Sequence, residues 1–189
     1  MTTAGSLPVP NNWINDRFGS RRGLVKFVLF EAKRITGQYA YLKVPEHARP
    51  KRLVFICMGN ICRSPFAEAI AISKGFNAIS FGLDTRGNDY ADPRAVKFAS
   101  ENGIDLKRHR TRKIKDYCPE PGDLVIGMEP KHVSIFQKSS MGVTTTLLGL
   151  YAKKPRAYIH DPYNTNLDFF IRCEENIFNA TCSLLNYVK

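Results

Sequence analysis

Short apolar runs alternate with helical segments from Arg52 to the end of the chain, and this alternation constrains the fold more than any other feature. The apolar runs predict four buried strands, at residues 53–57, 78–81, 123–128 and 144–150. Helices are predicted between and after them, at residues 65–75, 93–102, 130–138 and 166–187. Because parallel neighbours need crossover helices, the pattern predicts an α/β fold, a four-stranded parallel sheet with helices on both faces. Ligands of such sheets bind beyond the carboxyl ends of the strands.

The first part of the chain lacks this alternation. We interpret residues 1–49 as an N-terminal extension and residues 50–189 as the catalytic domain. Residues 1–19 contain prolines and asparagines without periodicity, so we expect little regular structure there. Ser20 is a candidate N-cap for an amphipathic helix over residues 20–36.

The charge balance points to anionic partners. Lys and Arg number 28 against 17 Asp and Glu, a formal net charge of +11. No basic cluster contains the interleaved aromatic side chains that stack on bases, so nucleic acid is not an expected partner.

The cysteines indicate the compartment. There are five, an odd number, and they are widely spaced, which makes a poor disulfide framework and predicts a reduced, cytoplasmic environment. Cys and His do not cluster at zinc-ligand spacing, so we expect no metal site.

The stretch VFICMGNICRSP, residues 54–65, contains the candidate nucleophile. Cys57 ends a predicted strand, Arg63 follows six positions later, and a helix begins at once. An anion at this junction would meet a helix N-terminus, the planar fork of Arg63 and inward-pointing loop amides. The same positive potential favours the thiolate of Cys57, which Ser64 can stabilise by a hydrogen bond. The predicted phosphate-binding residues are Met58, Gly59, Asn60, Ile61, Cys62 and Ser64, with Gly59 permitting the turn.

A second element, HDPY at residues 160–163, supplies a candidate acid. Departure of an alkoxide or phenolate requires a proton, and Asp161 is the best candidate donor. It would then act as the base for the water that attacks the phosphocysteine.

Together, Cys-x5-Arg-Ser after the first strand and Asp-Pro-Tyr about a hundred residues later resemble the low-molecular-weight protein tyrosine phosphatases. The resemblance extends from about residue 52 to residue 185. It implies a flavodoxin-like sheet and hydrolysis of phosphotyrosine through a phosphocysteine, without metal or organic cofactor. Extra residues before the signature depart from the family, and Asn164 stands where members often have a second tyrosine.

The resemblance also implies roles for supporting residues. Asn60 matches the asparagine that holds the phosphate loop in shape, and Ser80 and His109 match residues that hydrogen-bond to it. Tyr163 matches an aromatic wall that stacks on the substrate ring. Cys62 matches a second loop cysteine, which implies a reversible disulfide with the nucleophile under peroxide.

Two other functions remain open at this stage. Arsenate reductases of related fold use the same loop with a downstream cysteine pair, but this chain offers only Cys118 in that region. A non-catalytic phosphotyrosine-binding module would lack the nucleophile or the acid, and both Cys57 and Asp161 are present. The implied partner is a phosphotyrosine protein and, by analogy with bacterial members, a tyrosine kinase of polysaccharide export.

The predicted helix over residues 20–36 leaves three alternatives. Its apolar residues are too broadly spread for a bare helix in water, and Lys26, Lys33 and Arg34 give it a basic edge. It could pack on its own catalytic domain, pair with a second chain as a homodimer, or lie on an anionic membrane surface. In each case the candidate catalytic residues follow Pro50, so we expect the chemistry to reside in the later segment.

Overall fold

The structure, a computed structural model, describes residues 13–137 and 142–189. Expectations for residues 1–12 and for Lys138 lie outside this part of the chain. The four strands are β1 Arg52–Cys57, β2 Ala78–Gly82, β3 Asp123–Gly127 and β4 Thr144–Leu147. The helices are α1 Trp13–Phe18, α2 Arg21–Ile35, α3 Arg63–Ser73, α4 Pro93–Glu101, α5 Pro130–Gln137 and α6 Leu167–Val188.

The strands form one parallel sheet in the order β2-β1-β3-β4. Successive β1 side chains alternate between two apolar clusters because neighbouring side chains on a strand face opposite sides. Leu53 and Phe55 join the cluster formed with α3 and α6, whereas Val54 and Ile56 join the one on the other face. The predicted α/β fold, with helices on both faces, is confirmed.

Several predicted boundaries differ from the structure by one to three residues, and two of the differences have a clear cause. Strand β4 ends at Leu147 because its partner ends there, at the pair Gly127–Leu147, and Leu148–Tyr151 form a 3₁₀ turn instead. Helix α3 begins at Arg63, two residues earlier than predicted, since Pro65 is tolerated in the first helical turn.

Part of the segment expected to lack regular structure is helical. Trp13–Phe18 forms α1, whose Phe18 ring lies 5.3 Å from the ring of Phe27 on α2. Helix α2 follows, and the side chain of Ser20 accepts a hydrogen bond from the amide of Gly23. Among the described residues, no helix is both long enough and apolar enough to span a membrane.

Candidate active site

Cys57 lies at the carboxyl end of β1, where a five-residue loop leads directly into α3. A cavity of about 60 Å³ opens there, lined by Cys57, Gly59, Ile61, Cys62, Arg63, Asp161 and Tyr163. Sites for drug-sized ligands usually measure roughly 300 to 1,000 Å³, so this one suits a group of only a few atoms.

The loop carbonyls point away from the cavity. Those of residues 57, 58, 60 and 61 accept hydrogen bonds from Leu83 N, Asp84 N, His109 Nε2 and Asp92 N. In a trans peptide the C=O and the following N–H point in opposite directions. The amides of residues 58, 59, 61 and 62 are therefore directed to the inner side of the loop, as an anion site requires.

The thiol of Cys57 is surrounded by hydrogen-bond donors. The amide of Asn60 donates to its sulfur at 3.2 Å, and Ser64 Oγ lies 3.0 Å from the same atom. Ser64 Oγ also accepts from Asn60 Nδ2 at 2.9 Å. The serine proton is therefore directed at the sulfur, where it stabilises a thiolate.

Asn60 connects the loop to its surroundings. It is completely buried and has a left-handed backbone with φ of 56°. Its Nδ2 donates to Ser80 Oγ at 2.7 Å, and its Oδ1 accepts from the amide of Arg112 at 2.8 Å. The turn expected at Gly59 is thus made at Asn60, because Asn tolerates the left-handed region better than other side chains and these hydrogen bonds hold it there.

Ser80 and His109 both contact this asparagine. Ser80 donates onward to the carboxylate of Glu68, which pairs with Arg112 at 3.0 Å. His109 Nε2 lies 2.9 Å from the carbonyl of Asn60. Burial and the charge of Arg112 lower the pKa of His109 to about 4. The ring is therefore neutral, with Nε2–H as the donor.

Arg63 is buried behind the loop. Its Nη1 donates to the carbonyl of Ile159 at 3.0 Å, and its Nη2 forms an ion pair with Asp161. Its Nε has no hydrogen-bond partner among the described residues. One face of the guanidinium is thus fixed by protein, while Nε remains available to an anion.

Glu129 supports Arg63 and is itself held by His132, and neither residue was predicted from the sequence. Glu129 Oε1 lies 3.9 Å from Arg63 Nη1 and 3.2 Å from His132 Nε2. Burial raises the pKa of Glu129, but the hydrogen bond to His132 and the charges of Arg63 and Lys131 outweigh it and lower that pKa to about 2. Their position just beyond β3, at the carboxyl edge of the sheet, was the available signal.

Asp161 and Tyr163 lie at the mouth of the cavity. Asp161 Oδ1 accepts from the amide of Tyr163 at 3.2 Å, and the Tyr163 side chain is about half exposed. Arg94 fixes this turn, since it donates to the carbonyls of Tyr163 at 2.6 Å and Thr165 at 3.2 Å. The acid candidate and the aromatic wall are therefore held from the start of α4.

The remaining cysteines differ in position. Cys62 lines the cavity, and burial with nearby Glu174 and Asp92 raises the pKa of its thiol. Cys118 is exposed, and its carbonyl contacts Arg52 at the amino end of β1, opposite Cys57. In residues 13–137 and 142–189, no group of three His, Cys, Asp or Glu could hold a metal ion.

A thiol at a strand end, a ring of inward amides and an adjacent arginine–aspartate pair define the class of cysteine-dependent phosphatases. Comparison with known proteins agrees: the chain belongs to the low molecular weight phosphotyrosine protein phosphatase family, whose profile matches residues 52–189. The probable low molecular weight protein-tyrosine-phosphatase EpsP of Ralstonia nicotianae is 30% identical over 129 residues, which are 67% of this chain and 88% of EpsP.

Solved structures show the same fold. The crystal structure of the tyrosine phosphatase AmsI from Erwinia amylovora is 28% identical, with a TM-score of 0.62 over 72% of this chain and 92% of AmsI. The YwlE arginine phosphatase, in a mutant with a phosphorylated active-site serine, is 27% identical, with a TM-score of 0.60 over 70% of this chain and 92% of its own.

Proposed function

We propose that the protein hydrolyses phosphotyrosine monoesters through a phosphocysteine at Cys57. The observation that carries this proposal is the placement of the Cys57 sulfur, 3.2 Å from the amide of Asn60 and 3.0 Å from Ser64 Oγ, in a phosphate-sized cavity with inward amides. No other described cysteine shares such surroundings.

In the first step the thiolate of Cys57 attacks phosphorus, an S–P bond forms and the P–O bond to the phenol breaks. Loop amides and Arg63 stabilise the equatorial oxygens, because these donors are fixed before the reaction begins. Asp161 transfers a proton to the leaving oxygen. Its ion pair with Arg63 is exchanged for a phosphate contact when substrate enters, which frees Asp161 for that role.

In the second step a water molecule attacks the phosphocysteine and Asp161 accepts its proton. The S–P bond breaks, inorganic phosphate leaves, and Ser64 stabilises the departing thiolate. Asn60 takes part indirectly, by orienting the Ser64 hydroxyl and the loop. All of these steps use side chains and amides of this chain.

The geometry disfavours the arsenate reductase alternative. A redox relay needs a cysteine that reaches the nucleophile, and Cys118 lies at the opposite end of β1. Strand β1 has six residues at roughly 3.3 Å each, so the two cysteines are separated by most of the sheet's depth. The binding-module alternative is disfavoured because nucleophile, arginine and acid all converge on one cavity.

The substrate side favours an aromatic ester. Tyr163 stands exposed at the cavity mouth, where its ring can stack on a phenol ring. We therefore propose a phosphotyrosine protein as partner, with a bacterial tyrosine kinase as the first candidate. The similarity to an arginine phosphatase makes phosphoarginine the competing substrate to test.

Steady-state rates on a phosphotyrosine peptide, para-nitrophenyl phosphate and phosphoarginine test the proposal. We expect turnover of both aryl esters, little of phosphoarginine, and none by Cys57→Ser with its fold intact. Asp161→Asn should lower the rate by about 10²- to 10⁴-fold on poor leaving groups. Wild-type activity in Cys57→Ser would refute the nucleophile, and faster turnover of phosphoarginine would refute the substrate class.

We further propose that Cys62 protects the nucleophile from peroxide, in a reduced, cytoplasmic location that the five free thiols favour. Peroxide converts the Cys57 thiolate to a sulfenic acid, and the neighbouring Cys62 thiol displaces water from it to form a disulfide. A dithiol would then restore both thiols.

A further inference from the structure

The segment that leads into Asp161 is held by the N-terminal helices. Glu31 on α2 accepts a hydrogen bond from the amide of Ala157, at 3.1 Å through Oε1. The ring of the next residue, Tyr158, stacks on Phe30 of α2, with ring centroids 5.3 Å apart and ring planes inclined by 30°. Ala157 and Tyr158 are both buried.

His160, the residue directly before the acid, also contacts this pair of helices. Its Nδ1 lies 2.5 Å from the hydroxyl of Tyr158, and its Nε2 lies 3.4 Å from Ser20 Oγ. A Cβ at Gly19 would lie 2.5 Å from the imidazole Cδ2, and one at Gly23 would lie 3.1 Å from it. Gly19, between α1 and α2, therefore approaches the ring so closely that a side chain is excluded at that position, and Gly23 in the first turn of α2 also lies against the ring.

Both ring nitrogens of His160 have a hydroxyl partner. Burial and the charge of Arg63 lower the pKa of the ring, which favours its neutral form. The Tyr158 hydroxyl pairs with Nδ1, and Ser20 Oγ pairs with Nε2. Helix α1 contributes a further contact, because Asp16 Oδ1 accepts a hydrogen bond from Asn166 Nδ2 at 2.6 Å. Asn166 caps α6 and follows Asp161 by five residues.

We infer that α1 and α2 form a positioning element for the general acid, and that the protein needs them for the protonation step. This inference rests on the proposed role of Asp161. Ile159, between the bonded residues 158 and 160, gives its carbonyl to Arg63, and Asp161 pairs with the same guanidinium. A shift of residues 157–160 would therefore displace both Asp161 and the guanidinium of Arg63. The chemistry is then not confined to residues 50–189.

Leaving-group dependence separates positioning from general damage. A misplaced acid slows substrates that need a proton, such as phenyl phosphate, and spares 2,4-dinitrophenyl phosphate, whose leaving group departs unprotonated. The measured quantity is the kcat/KM for phenyl phosphate divided by the kcat/KM for 2,4-dinitrophenyl phosphate. This ratio does not depend on the fraction of folded enzyme. The variants, all in the full chain, are Glu31→Ala, Phe30→Ala, the conservative Glu31→Gln, and Val28→Ala on the exposed side of α2 as a matched control.

We expect Glu31→Ala and Phe30→Ala to lower that ratio by about ten- to a hundredfold, the effect of misplacing a catalytic group by about 1 Å. Glu31→Gln keeps the acceptor and should restore the ratio, and Val28→Ala should not change it. Asp161→Asn in the same assay is the reference. If it lowers the ratio and the α2 variants do not, the positioning role is refuted. If Asp161→Asn itself leaves the ratio unchanged, the proposed acid is wrong instead.

A different observation carries a second inference, from the outer side of α2. Four large apolar side chains of α2 are exposed there, namely Val25, Val28, Leu29 and Ile35, and Trp13 of α1 is exposed as well. Cations lie beside them on exposed Arg21, Arg22 and Lys26. The acidic residues of residues 13–36, Asp16 and Glu31, are both bonded toward the domain.

We propose that this apolar stripe, Val25, Val28, Leu29 and Ile35, docks on an anionic lipid surface. An apolar stripe bordered by cations is the pattern of helices that lie in a membrane interface, where lipid head groups neutralise the charge. Two copies of α2 facing each other would instead bring their cations together, which disfavours a second chain as the occupant.

Co-sedimentation of the full chain with vesicles tests this surface. We expect binding to phosphatidylcholine mixed with phosphatidylglycerol, weakened by salt, and none to phosphatidylcholine alone. The double variant Val25→Gln, Val28→Gln should lose most of the binding, and Ile72→Gln, an equally exposed apolar site on α3, should retain it. No binding to the anionic vesicles would refute the proposal, as would a dimer in light scattering that the double variant abolishes.

Discussion

Replacing Asn60 by Ala should destabilise the protein more than any other single polar change in the phosphate loop. The side chain makes three hydrogen bonds, to Ser64, Ser80 and the amide of Arg112, and is completely buried. At about 1 kcal/mol each they contribute about 3 kcal/mol, and placing Ala at a left-handed position costs about 1 kcal/mol more. The expected loss is therefore about 4 kcal/mol, or about 8 to 16 °C in Tm for a chain of this size.

Asn88 provides a matched control. It also has a left-handed backbone, with φ of 63°, but it is exposed, and its side chain makes no hydrogen bond within the described part of the chain. Asn88→Ala should cost about 1 kcal/mol, the backbone contribution alone. Asn60→Gly removes the backbone contribution and should be about 1 kcal/mol more stable than Asn60→Ala.

Equilibrium urea unfolding of the three variants measures these differences, and rates on para-nitrophenyl phosphate report the orientation of Ser64. The reasoning would be refuted if Asn60→Ala cost no more than Asn88→Ala, because the hydrogen-bond network would then contribute nothing.

Three further outcomes are expected. Arg63→Lys loses the planar fork and should bind inorganic phosphate at least about tenfold more weakly, by inhibition kinetics; wild-type inhibition would contradict this. After brief peroxide treatment, a dithiol should restore the activity of the wild-type protein and a smaller fraction of the activity of Cys62→Ser. If mass spectrometry detects no Cys57–Cys62 disulfide in the oxidised wild-type protein, the mechanism is wrong. Burial raises the pKa of Glu174 to about 8. Between about pH 4.5 and 8 the unfolded chain therefore loses the Glu174 proton, whereas the folded chain keeps it. The free energy of unfolding consequently falls as the pH rises through that window. Glu174→Gln should remove that decline in urea titrations, and equal pH slopes for both proteins would disprove it.

The sequence predicts the sheet well because the signal is local. An apolar run such as residues 53–57 has few alternatives to a buried parallel strand, and helices start at recognisable caps. The end of a strand is harder to predict when it is set by the neighbouring strand, which is distant in the sequence. Residues 148–150 look like strand, yet β4 must end where β3 ends.

The residues of the candidate site also fall into those that the local sequence predicts and those that depend on distant contacts. Cys57 and Arg63 are recognisable together because one strand–loop–helix junction places both. The left-handed residue is not, because Gly59 is the ordinary choice for a turn and two of the three partners of the Asn60 side chain, Ser80 and Arg112, are distant in the sequence. Glu129 and His132 are missed for a related reason: Glu129 acts on Arg63 from the neighbouring strand end, and His132 acts only through Glu129.

Helix α2 shows the limit of periodicity most clearly. An amphipathic pattern normally places apolar side chains toward the core, which would turn Val25 and Val28 inward. The structure leaves these two valines exposed, and α2 directs Glu31 and Phe30 at Ala157 and Tyr158. A partly buried carboxylate is favourable there because the buried amide of Ala157 needs an acceptor, and unpaired buried amides are costly. The hydrogen bond to Ala157 and the stacking on Tyr158 thus favour this face of α2 on the inside, and the apolar stripe remains for a contact outside the chain.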